Sequence, residues 1–139
     1  MSARLIGIDT NVLVRLLTAD HGGQTAIANR IVAEAAPVFV SLIVLTETAW
    51  VLRSIYRLPL DMLLGAFEAL LANANFEIEE EGIVHAAIAA SGRMDLDVAD
   101  CLIALRNQQL GCATTVTFDR RAARLPAFRL LTDAGDAGA

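Results

Sequence analysis

Leu5-Ile6-Gly7-Ile8-Asp9-Thr10-Asn11-Val12-Leu13 opens the chain with a change of character at a single carboxylate. Leu5 to Ile8 is a short apolar run bounded by Arg4 and Asp9, which reads as a buried β-strand. Asn11 to Leu17 is apolar apart from Arg15 and reads as a short helix. A strand that ends on an acid and passes into a helix is the first unit of an α/β chain, and the rest of the sequence continues it.

After a polar stretch at Asp20-His21-Gly22-Gly23, residues 24–36 carry Ile27, Ile31 and Ala35 at helical spacing, and Pro37 ends that helix. Val38-Phe39-Val40-Ser41 is a second strand, rich in β-branched and aromatic residues. Residues 43–56 form a helix with Val44, Glu47, Val51 and Ile55 on one face, and Ser41 suits its N-cap. Pro59 opens a helix to about Ala72 that packs through Met62, Leu63, Ala66, Phe67 and Leu70. A short strand at 76–78, a helix over 82–90 and another over 97–110 follow, the last stopped by Gly111. Residues 112–116 then form a strand that ends near Thr117-Phe118-Asp119, and 128–131 form the final strand.

Strands separated by helices of this length imply right-handed crossovers. The expected fold is therefore a three-layer α/β/α sandwich around a central, mostly parallel sheet. With 139 residues, one domain over 1–133 is expected, and the small, apolar-poor segment 134–139 should be a disordered tail.

Composition narrows the function. All eleven basic residues are arginine, so the chain lacks the lysine that a Walker A phosphate loop or a Schiff-base mechanism needs. Cys101 and Cys112 are too few for a disulfide framework and read as buried thiols in a reducing compartment. Met1-Ser2-Ala3-Arg4 followed by a run ending at Asp9 is not a signal-peptide pattern, and no uncharged run approaches spanning length. A cytoplasmic protein without membrane association is expected. A net charge of −5 argues against general field-driven affinity for nucleic acid, although cations bound to an acidic cluster would reverse the local sign. At 55% hydrophobic residues and a mean hydropathy of +0.52, surplus apolar surface calls for a homodimer, a protein partner, or both.

The carboxylates carry the chemistry. Function in parallel sheets collects at the carboxyl ends of strands, where Asp9 and Asp119 both fall. Asp9 can cap the helix that follows it, and capping does not exclude metal binding. Glu47 falls on the face assigned to the core, where a glutamate needs a cation to meet; a slightly different helical phase would put it at the rim instead. Asp97 suits an N-cap and Asp100 the first turn of the same helix, a structural pattern that also aims Asp100 at the sheet's carboxyl edge. Several carboxylates suit a hard cation, Mg²⁺ or Mn²⁺. His21 and His85 have no partner at zinc-ligand spacing, and neither has an evident serine or cysteine for a nucleophilic triad.

In order and spacing, the segment from Ile8 to Leu13, Glu47, Asp97-Val98-Ala99-Asp100 and Thr117-Phe118-Asp119 resemble the PIN-domain nucleases, and among them the VapC-type toxins of toxin–antitoxin pairs. The resemblance runs from Leu5 to Leu131. It implies four acidic positions at Asp9, Glu47, Asp100 and Asp119 that hold Mg²⁺ or Mn²⁺, supported by Thr10, Asn11, Asp97 and Thr117. It also implies endonucleolytic cleavage of tRNA, rRNA or mRNA to 5′-phosphate and 3′-hydroxyl ends, in a dimer restrained by a cognate antitoxin. Val98 stands where the family often has phenylalanine, and Cys101 where a small residue is common. Arg53, Arg57, Arg120, Arg121 and Arg124 are candidates for RNA or antitoxin contacts, or equally for solvated helix faces.

Two enzyme classes with an aspartate after the first strand fit less well. A haloacid-dehalogenase-like phosphatase wants a second aspartate where this chain has Asn11, and both it and a receiver domain use a lysine that is absent. The remaining alternative is a non-catalytic, partner-binding protein with a PIN-like fold, which would not be stabilised by Mn²⁺.

Overall fold

Side chains that accept backbone N–H groups set the helix starts. In the computed structural model, which describes residues 4–133 and the backbone of 135 and 136, three such caps follow one another. Asp9 Oδ1 accepts from Val12 N at 3.0 Å and starts α1 (Thr10–Thr18). His21 Nδ1 accepts from Gln24 N at 3.1 Å and starts α2 (Gly22–Ala35), and Ser41 Oγ accepts from Val44 N at 3.2 Å and starts α3 (Leu42–Ser54). Glu79 Oε1 accepts a second N–H of α3, from Leu42, at 2.7 Å. Each bond satisfies a donor that a helix cannot pair internally.

The chain divides into two compact units, residues 1–81 and 82–139. In the first, β1 (Ile6–Gly7), β2 (Val38–Val40) and β3 (Phe76–Ile78) form a parallel sheet in that order, with Ile6 opposite Val38 and Val38 opposite Phe76. α1 packs on α2 and α3, and α4 (Leu60–Ala72) packs on β3 and α3. Leu13, Val38, Val40, Leu45, Leu52, Leu63 and Phe67 are its most deeply buried apolar side chains.

The second unit begins within α5 (Glu81–Met94) and continues with α6 (Val98–Gln109), β4 (Thr115–Thr117), a 3-10 turn at Ala122–Arg124, β5 (Phe128–Thr132) and β6 (Gly135–Asp136). β4 and β5 are parallel, and β6 returns antiparallel to β5. Gly111, at φ +100°, closes α6 in the left-handed conformation, letting Cys112 N donate to Asn107 O at 3.0 Å. The α/β class and the predominantly parallel pairing agree with expectation.

Several side chains fall elsewhere than expected. β1 is short and lies at the edge of its sheet, so Leu5 and Ile6 are exposed and only Ile8 of that run is buried. α2 buries Ala28 and Val32 rather than Ile27 and Ile31, and Met62 of α4 is exposed. α5 runs past Ala90 to Met94. Cys101 is buried as expected, but Cys112, beyond the end of α6, is exposed. Gly135 and Asp136 pair as a strand inside the segment expected to be a disordered tail; the other residues of 134–139 lie outside those described. Among the described residues, no helix is long and apolar enough to cross a membrane.

Candidate active site

α3 decides where Glu47 goes. From Leu42 to Leu52 every position but Thr46, Glu47 and Thr48 is apolar, so hydrophobic periodicity alone leaves the phase ambiguous. The helix buries Leu42, Leu45, Thr48, Ala49 and Leu52, while Val44, Glu47 and Val51 lie on the neighbouring stripe. Glu47 is therefore exposed, not on the core face, and the argument that a cation must rescue a buried glutamate does not apply. Its case rests instead on its neighbours. Asp9, Thr10, Asn11 and Glu47 line one open pocket of about 330 Å³ together with Val44, Trp50 and Val51. The Thr10 hydroxyl donates to Glu47 Oε1 across that pocket, while Asp9 caps α1 at its edge.

A second tie holds the helices that carry these groups. Asp20, just beyond α1, accepts from Tyr56 Oη at 2.7 Å and Thr18 Oγ1 at 2.8 Å, and pairs with Arg15 at 3.2 Å. The Tyr56 hydrogen bond, then that of Thr18, holds the Asp20 carboxyl below its ordinary value. This network fastens the C-terminal end of α1 to the residues following α3, the far ends of the two helices that present Thr10 and Glu47.

In the second unit the acids are arranged differently. Asp97 occupies the N-cap position of α6, but its side chain makes no capping bond. Asp100, in the first turn, is half-buried; burial raises its carboxyl above the ordinary value, and the negative charges of Asp97 and Asp119 raise it further. Asp119, two residues after β4, accepts from Arg121 N at 2.8 Å and Ala122 N at 3.2 Å, and its own N–H donates to Thr117 Oγ1 at 3.0 Å. The same burial, followed by the charges of Asp100 and Asp97, pushes the Cys101 thiol up to about 11, which makes it a poor nucleophile.

The arginines divide by use. Arg53 donates to Leu58 O at 2.9 Å, bridging the end of α3, and Arg57 is exposed at φ 55°. Arg121 binds the Asp95 carbonyl at 2.7 Å and its carboxylate at 3.0 Å, and Arg124 donates to Met94 O. Those two fasten the 94–95 turn, while Arg120 is exposed.

The donor set suits a hard cation, because Asp9, Thr10, Asn11 and Glu47 in this pocket all offer oxygen and two of them are carboxylates. Mg²⁺ keeps several waters and is commonly held by one or two carboxylates, so Asp9 and Glu47 meet its requirement. Among the described residues, no group of three or more His, Cys, Asp or Glu side chains is disposed to hold a metal ion. Trp50 was not anticipated at this site. Its signal was its place one helical turn beyond Glu47, which aligns two side chains on one face.

Asp9 after the first strand and Asp119 after β4 fall where parallel α/β folds gather their functional groups. The chain belongs to the PIN domain family, which matches residues 6–127, and thus has a nuclease-type fold. No curated protein matched the chain by sequence.

Proposed function

We propose that the protein is a Mg²⁺- or Mn²⁺-dependent endoribonuclease of the VapC type, the cytoplasmic toxin of a toxin–antitoxin pair, with residues 1–133 working as one domain. The observation that carries this reading is the pocket that gathers Asp9 and Glu47, where the Thr10 hydroxyl donates to Glu47, in a chain of a nuclease family. Asp9, Glu47, Asp100 and Asp119 are the acids assigned to the metal chemistry, with Thr10, Asn11, Asp97 and Thr117 in support.

A divalent cation there would stabilise charge on a phosphate oxygen and lower the pKa of an attacking water. Asp9 has lone pairs beyond the one spent on capping, so it can serve both uses. Thr10 fixes the Glu47 carboxylate, and Thr117 fixes the Asp119 backbone. Asp100, raised by burial and like charge, is a group whose ionised form a bound cation would favour.

The RNA substrate is tRNA, rRNA or mRNA, and a cognate antitoxin restrains the enzyme. Exposed Ile43 (78%) and Phe118 (74%) are large apolar groups that a homodimer or antitoxin would cover. They equally favour the second reading, a non-catalytic partner-binding protein with a PIN-like fold. Cleavage of total tRNA and single-stranded RNA, with Mn²⁺, Mg²⁺ or EDTA and with Asp9→Asn in parallel, separates the two. Metal-dependent cleavage lost in D9N is expected; absence of both cleavage and Mn²⁺-dependent thermal stabilisation would leave the non-catalytic reading. A stable monomer at micromolar concentration in sedimentation would remove the homodimer.

A further inference from the structure

We infer that Trp50 is a stacking platform for one unpaired nucleobase, so that the pocket beside Asp9 and Glu47 takes single-stranded or looped RNA rather than duplex. This inference rests on the nuclease reading and goes beyond it to the form of the substrate. Trp50 is 57% exposed on α3, three residues after Glu47, and lines the same pocket as both acids. Val44 and Val51 give that pocket an apolar flank, while Asp9, Thr10, Asn11 and Glu47 give it a polar one. A nucleotide has the same division, with a flat apolar face on its base and a charged phosphate.

The energetics point the same way. With a net charge of −5, the chain as a whole does not attract phosphate, so affinity for RNA needs contacts that do not depend on the overall field. Base stacking on an aromatic side chain supplies such a contact and requires a base freed from its own helix. A second copy of the chain covering Trp50 is the rival occupant, and it would bury the indole without RNA.

Trp50 is the sole tryptophan, so its fluorescence reports this site alone. The wild-type protein, in Ca²⁺ to slow cleavage, is titrated with an unpaired RNA of about eight nucleotides, an abasic strand of equal length and an RNA duplex. Anisotropy of a dye on each strand reports binding independently. Unpaired RNA should quench the emission strongly, and the abasic strand and duplex should not. Trp50→Ala should weaken binding of the base-bearing strand about 5- to 100-fold, raising KM more than it lowers kcat, while Trp50→Phe retains most of the affinity. RNA that binds by anisotropy without changing the emission overturns the stacking role and leaves the nuclease reading intact. Equal quenching by duplex overturns the preference for unpaired bases. Emission that shifts with protein concentration alone assigns Trp50 to a self-association surface and overturns the proposal. Failure of every strand to bind overturns it together with the nuclease reading.

Discussion

Asp9 and Glu47 of the first unit are satisfied by local donors, whereas Asp100 of the second is half-buried and crowded by like charge. Asp9 and Glu47 are exposed, and each accepts a hydrogen bond from a local donor, the Val12 amide and the Thr10 hydroxyl. Asp100 is half-buried, with Asp97 and Asp119 as like-charged neighbours and its carboxyl raised accordingly. The contrast separates two ways of keeping a carboxylate in a candidate site. One satisfies it with structural hydrogen bonds, so its removal costs stability. The other leaves it electrostatically uncomfortable, so its removal relieves the fold, a pattern expected where function opposes stability.

The largest expected effect is on catalysis, where the two regions should behave alike. Asp9→Asn and Asp100→Asn should each lower metal-dependent RNA cleavage by at least about 100-fold, measured in single-turnover assays. Mn²⁺ should raise the melting temperature of the wild type, by a free energy of about 2.7 kcal/mol at 100 times its Kd, and much less in either variant.

Stability without metal should then separate the regions. In EDTA, Asp9→Ala should cost about 1 kcal/mol through loss of the α1 cap, whereas Asp9→Asn should be nearly neutral because asparagine caps as well as aspartate. Asp100→Asn should instead raise stability slightly at neutral pH, the gain being reduced by its partial exposure to solvent. Denaturant titration measures all three, and a destabilised D100N would show that Asp100 is satisfied after all.

The smallest effects concern pH, and they have opposite signs. The Asp20 carboxyl is lowered, so its contribution is present above its ordinary value and disappears as pH falls through the folded value. The Asp100 carboxyl is raised, so stability is lost as pH climbs from the ordinary value through the folded one. Asp20→Asn should therefore flatten the acid limb of the stability profile, and Asp100→Asn the limb above it. Melting temperatures across pH 2 to 7, a span of roughly the ordinary carboxylate range and its shifted tails, would reveal either change.

How far the sequence could be read depended on what distinguishes one arrangement from another. Ser41, Pro59 and Gly111 mark helix boundaries through local backbone chemistry, and the helices begin or end beside them. Side-chain facing was harder. In α2 the stripes Ile27–Ile31 and Ala28–Val32 differ by one residue, and the larger pair is the exposed one. In α3 apolar residues occupy most of the circumference, so periodicity favours the core face for Glu47, whereas the structure puts it at the rim that a slightly different helical phase allows. Asp9 was legible because a carboxylate following an apolar strand has few uses, and capping is one of those it fulfils. The Thr10–Glu47 bond and the place of Trp50 depend on how α1 packs on α3, which no local pattern encodes. Arg121 and Arg124 reach back about thirty residues to bind the 94–95 turn, again a matter of tertiary contact.

The proposed metal-dependent RNA cleavage draws on acids of both units, Asp9 and Asp100 among them. Its most direct test is the single-turnover rate of RNA cleavage in Mn²⁺ for the wild type, D9N and D100N, each verified as folded. Loss of cleavage in both variants, and in wild type with EDTA, is the predicted result. Full cleavage by either variant, or cleavage that persists in EDTA, would contradict it.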